Sequence, residues 1–76
     1  FLLYNKAIKN NDEREVKNII KNFGNVNAQN EDRDTPLHIT SGKGHIGIAK
    51  LLIKNSANVN AQNKYDMTPL HLARFC

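Results

Sequence analysis

The apolar positions of this chain follow a helical rhythm, broken by two polar stretches. Val16, Ile19, Ile20 and Phe23 fall at i, i+3, i+4 and i+7, which places one apolar stripe along a helix of about three turns. Asp12 marks its start by accepting from free amides, and Glu15 stands where a capping box would close. Acids at 12, 13 and 15 precede Lys17 and Lys21, as the helix dipole favours, and Gly24 supplies the stop. Further on, Ile46, Ala49, Leu52 and Ile53 draw the same stripe, with Gly44 before it and Asn55-Ser56 after it. A shorter helix is predicted to open at Thr35-Pro36, where Thr is the N-cap and Pro fits the first helical position because its missing N–H would have no partner there. It ends near Gly42 to Gly44. Residues 25–34 and 58–67 are polar, with only Val26 and Val59 clearly apolar, and read as extended turns projecting from the helices.

The whole pattern recurs with a period of 33 residues. Asn25 to Asn30 reappears as Asn58 to Asn63, and Thr35-Pro36-Leu37-His38 as Thr68-Pro69-Leu70-His71. Lys17, Ile20, Lys21 and Asn22 match Lys50, Ile53, Lys54 and Asn55, so that 14 of the 43 ungapped pairs are identical. A period of this length means a stack of small units that bury their apolar faces against one another.

The period and the hexapeptide Thr68-Pro69-Leu70-His71-Leu72-Ala73 together resemble the ankyrin-repeat family. The hexapeptide's earlier copy, Thr35-Pro36-Leu37-His38-Ile39-Thr40, has Thr in place of Ala. Gly44-His45, Leu51-Leu52-Ile53 and Ala57-Asn58-Val59-Asn60-Ala61 look like further landmarks, and the resemblance covers nearly the whole chain. It implies an all-α solenoid of helix-turn-helix pairs with projecting β-turns, about two and a bit repeats long. Residues 1–24 would form capping-like helices, 25–57 a full repeat and 58–76 a partial one, in a fragment of a longer array. Departures from the family pattern carry their own expectations. Leu3-Tyr4-Asn5-Lys6 stands where Pro-Leu-His-Ile stands later, which gives the first repeat the polar outer face of an N-terminal cap. Thr40, Ser41 and Gly42 replace the usual small helix formers, and Gly47 interrupts the fourth helix at a cost of about 0.5–1 kcal/mol relative to Ala. Arg33 stands where the family favours Gly with positive φ, so backbone strain is expected there, and Asp66 tolerates the same geometry better. Leu70, Leu72 and Phe75 lack the following helix that would cover them, which predicts either a longer array or self-association through that end.

Composition narrows the class. A chain of 76 residues makes one small unit that buries about 60% of its unfolded surface, and 39% hydrophobic residues is too apolar for a disordered tail. The one cysteine, Cys76, can neither close an internal disulfide nor furnish a cysteine zinc site, which fits a reducing, cytoplasmic compartment. No apolar run approaches the roughly 20 residues of a membrane span, and Phe1 to Tyr4 is too short for a secretory signal. The abundance of Asn and Lys suits an AT-rich genome, such as that of an intracellular bacterium or a parasite working in a host cytoplasm.

Little in the sequence points to catalysis or to a bound cofactor or metal. His38 and His71 lie one repeat apart at the same position, where the resemblance implies a structural tie between a helix and the neighbouring turn. The carboxylates of Glu31, Asp32 and Asp34 sit on an open turn with no cavity to dry them. An enzyme is therefore not expected, and no phosphate loop or nucleophile motif is present. The net charge of +4 includes Lys17, Lys21, Lys50 and Lys54, which the helical and repeat spacings put on one convex face. These could engage nucleic acid or an anionic membrane. The competing reading is a solvated face with Glu13 paired to Lys17. What the family implies instead is recognition of a partner protein through turn tips and the concave face. Carried onto this chain, the free positions are Glu31, Asp32 and Asp34 with Gly42 and Lys43, then Lys64, Tyr65 and Met67 with Phe75, and Lys9 and Asn10 in the cap. Tyr65 and Met67 are of the residue types enriched at interfaces. A third possibility is a spacer or self-assembling element, and the turn residues Asn27 and Asn60 are candidate modification sites.

Overall fold

A computed structural model describes residues 1–72. Its helices are α1 (Leu2–Lys9), α2 (Glu13–Phe23), α3 (Pro36–Lys43), α4 (Ile46–Lys54) and α5 (Pro69–Leu72). The helices pair as antiparallel hairpins α1/α2 and α3/α4. Hairpins stack so that α1, α3 and α5 form one layer and α2 and α4 the other. Ile8, Val16, Ile19, Leu37, Ile48 and Leu52 are buried between the layers, with Tyr4, Ala7, Ala49, Val26 and Ala57 closing the core.

The helix ends follow from the residues at them. The Asp12 carboxylate accepts from the Glu15 amide at 3.0 Å, although the hydrogen bonds of the described residues include none returned by the Glu15 side chain, so the expected capping box is only half formed. Thr35 caps α3 with Pro36 behind it, and the reciprocal bond comes from His38 in place of an acid. Gly24 (φ 66°) and Gly44 (φ 72°) turn the chain out of α2 and α3 in the left-handed half of the map, which glycine enters without steric cost. Arg33 and Asp66 adopt φ of 59° and 61°, so the strain expected at Arg33 is present. Thr40, buried in mid-helix, satisfies its hydroxyl by donating to the Pro36 carbonyl one turn back at 2.8 Å.

Two contacts differ from expectation. A methyl group on Gly47 would lie 2.6 Å from a Glu13 carboxylate oxygen. Gly47 thus makes room for Glu13 to lie against the first turn of α4, whose amides have no side-chain cap and whose dipole favours a negative charge. The first repeat also lacks the uniformly polar face of a cap: Leu2, Leu3 and Phe23 are exposed and border one hollow with Tyr4 and Ile19.

Candidate functional site

Two successive turns, 30–34 and 63–67, project from the α1/α3/α5 layer, and both are built by an asparagine. The Asn30 side-chain oxygen accepts from the amides of Asp32 and Asp34, each at 2.9 Å. Asn63 does the same for Tyr65 at 2.9 Å and Met67 at 3.0 Å. In each turn the backbone closes between first and last residue, Asn30 to Asp34 and Asn63 to Met67, with Arg33 or Asp66 supplying the left-handed residue. Asparagine suits this because its short amide mimics a backbone carbonyl.

The two turns are fastened together. The Asn63 amide donates to the Asp34 carboxylate at 2.9 Å, and the Lys64 backbone N–H donates to the Asp32 carbonyl at 2.9 Å. The Lys64 ammonium reaches the Asp32 carboxylate at 2.7 Å and sits 5.2 Å from the centre of the Tyr65 ring. Asp32 first, and Tyr65 beside it, hold the Lys64 pKa above its ordinary value. From below, the His38 ring takes the Thr35 amide and hydroxyl at Nδ1, at 3.0 and 2.9 Å, and meets the Met67 carbonyl through Nε2 at 2.8 Å. With Nδ1 accepting from an amide, the proton belongs on Nε2 and is donated to Met67. Another tie lies further back, where the Asn27 side-chain oxygen accepts from the Asn58 amide at 2.7 Å and its nitrogen donates to the Ser56 carbonyl.

The structure therefore gathers Glu31, Asp32, Asp34, Lys64, Tyr65 and Met67 on adjoining turns. Lys43 stands apart at the opposite end of α3, and Phe75 lies outside the described residues. Asp32 and Asp34 are occupied internally, which leaves Glu31 as the uncommitted carboxylate of the acidic edge that the sequence suggests. Tyr65 is the prominent feature: the residue is 64% exposed on a turn whose amides are already bonded. The organising roles of Asn30 and Asn63 went unread in the sequence, although their repetition at the 33-residue period was the available signal.

On the other layer, Lys17, Lys21 and Lys54 ring a groove between α2 and α4, while Lys50 does not line it. The expected Glu13–Lys17 pair does not form; among the described residues the ion pair is Lys64–Asp32. No group of three or more His, Cys, Asp or Glu among the described residues is placed to hold a metal ion, and no described helix is long and apolar enough to cross a membrane.

A family model described as ankyrin repeats, in three copies, matches residues 4–75. No curated protein matches the chain.

Proposed function

The chain belongs to the ankyrin-repeat family, whose members are generally protein–protein interaction modules without enzymatic activity, and we propose that it binds a partner protein through the joined turn tips. The observation that carries this reading is Tyr65, a largely exposed aromatic on a turn that owes nothing of its shape to that side chain. An aromatic held this way loses little conformational entropy on binding, which is why tyrosine is frequent among residues that dominate interfaces. Met67 and Glu31 share the joined turns with it; Lys43, at the far end of α3, and Phe75, outside the described residues, are further candidates on sequence grounds. The partner that suits this edge offers an apolar patch with basic groups at its rim, the latter facing Glu31. A reducing, cytoplasmic setting belongs to the same reading, as does the division into residues 1–24, 25–57 and 58–76 as units of a longer array.

The test is the double substitution Tyr65→Ala with Met67→Ala in partner capture from cell extract. Loss of a central aromatic anchor costs about 2 kcal/mol or more, or about thirtyfold in affinity, while the melting temperature should hardly move because neither side chain is in the core. Undiminished capture by a variant of unchanged stability would remove this surface from consideration.

A further inference from the structure

We propose that the groove between α2 and α4 is a second binding site, for an acidic amphipathic helix of a partner protein. The groove encloses about 310 Å³ and is lined by Lys17, Ile20, Lys21, Leu51, Lys54 and Asn55. Its composition has a definite order. Ile20 and Leu51 form the floor, each half-buried and packed against the core, so two aliphatic groups remain partly in contact with water. Three ammonium groups stand round them, and no carboxylate lines the groove. None of the three is ion-paired within the described residues, and Glu13, one helical turn before Lys17, lies over Gly47 instead.

Lys17 and Lys21 are one helical turn apart on α2, so their side chains emerge about 5–6 Å from each other. Lys54 faces them from α4. An occupant that satisfies all of this has an apolar stripe for the floor and carboxylates on both flanks, spaced by one helical turn on the α2 side. That is the arrangement of an amphipathic helix laid in a groove, with acids beside its seam as at the e and g positions of a coiled coil. Duplex DNA presents its phosphates outermost and no continuous apolar stripe for the floor, and the groove offers no arginine or aromatic side chain to read or stack on bases. A bilayer surface is flat, whereas these amines surround a concavity. The site lies on the layer away from the Tyr65 turn, so its failure would leave the turn-tip reading standing.

The test is fluorescence anisotropy of a labelled helical peptide with a leucine stripe flanked by glutamates, titrated with the intact chain. The comparison probes are a scrambled peptide of the same composition, a duplex DNA and vesicles containing phosphatidylserine. The proposal expects the patterned peptide to bind at least about tenfold more tightly than the scrambled one. Replacing all three lysines by glutamine should weaken it by at least about tenfold, with an unchanged melting curve. A charge-swapped pair gives a check independent of the glutamine variant: Lys17→Glu with Lys21→Glu should lose the glutamate peptide and gain one carrying lysines at the same positions. Absence of binding, equal binding of the scrambled peptide, or tighter binding of DNA or vesicles would each overturn it.

Discussion

His38 and His71 are the same residue in the same local setting, and the difference between them isolates what a bond between repeats contributes. Both accept a backbone amide at Nδ1, from Thr35 and from Thr68. His38 is fully buried and also joins the Met67 carbonyl, whereas His71 is exposed. His38→Ala strands the buried Thr35 N–H, at about 1–3 kcal/mol, and leaves a void where the ring packed, at about 1–2 kcal/mol after partial relaxation. The Met67 carbonyl keeps its bond from the Asn63 amide, so its loss is smaller. The total is about 3 kcal/mol, a large part of what a chain of this size can hold, and lowers the melting temperature by about 12–24 °C. His71→Ala exposes its amide to water and should cost no more than about 1 kcal/mol. His38→Asn separates the two roles, since its side-chain oxygen can replace Nδ1 but cannot reach Met67, and its melt should fall between the wild type and His38→Ala. Thermal and urea unfolding of the three variants decide the matter. Equal shifts for His38→Ala and His71→Ala would refute the reasoning.

Two further predictions rest on single contacts. The Tyr4 hydroxyl donates to the Gly24 carbonyl, and burial raises its pKa above the ordinary 10.0. The folded chain thus keeps a proton that the unfolded chain releases, so this stability is complete below about pH 10 and is lost as pH climbs through the folded value. Tyr4→Phe should cost about 1 kcal/mol at neutral pH and flatten the alkaline fall of the melting temperature, and an unaltered alkaline slope would contradict it. Gly47→Ala gains about 0.5–1 kcal/mol of helix propensity but displaces Glu13 from the α4 N-terminus, a loss of about 0.3–1 kcal/mol. It should be close to neutral in the wild type and clearly stabilising beside Glu13→Gln, and additive effects in that double-mutant cycle would show that the two positions do not interact.

What could be read in the sequence was whatever depends on near neighbours. The caps at Asp12 and Thr35 and the stops at Gly24 and Gly44 follow from local backbone demands, the positive φ at Arg33 follows from the family resemblance, and the 33-residue period repeats Thr35 as Thr68 and the Arg33 geometry at Asp66. Contacts between helices were a different matter. Spacing alone offers Lys17 to Glu13 as its i+4 partner, but the α4 N-terminus is a competing attraction whose distance no linear pattern contains. For the same reason four lysines at repeating positions became three round a groove, and two of the three acids on the first turn became braces for the next. The exposed Leu2, Leu3 and Phe23 likewise depend on which faces of α1 and α2 meet the core, and the polar Asn5 and Lys6 beside them did not decide that.

Equivalent positions bearing identical residues show where the stability of this stack resides. Val26 is 9% exposed and Val59 46%; Leu37 is 3% exposed and Leu70 82%. Residue type is the same within each pair, so the difference lies in what packs against each one. Full burial of such a side chain contributes about 1.5–3 kcal/mol, which places the favourable energy between repeats more than within them. The polar ties obey the same rule. Turn 63–67 is anchored by Asp32, Asp34 and His38, all from the preceding repeat, and these bonds set the attitude at which Tyr65 is presented. The proposed recognition surface is therefore not a property of its own turn. If Tyr65 is the anchor, a change at His38 would weaken binding by loosening the ledge under it without touching it, so substitutions that act on binding need not lie among the residues that a partner contacts.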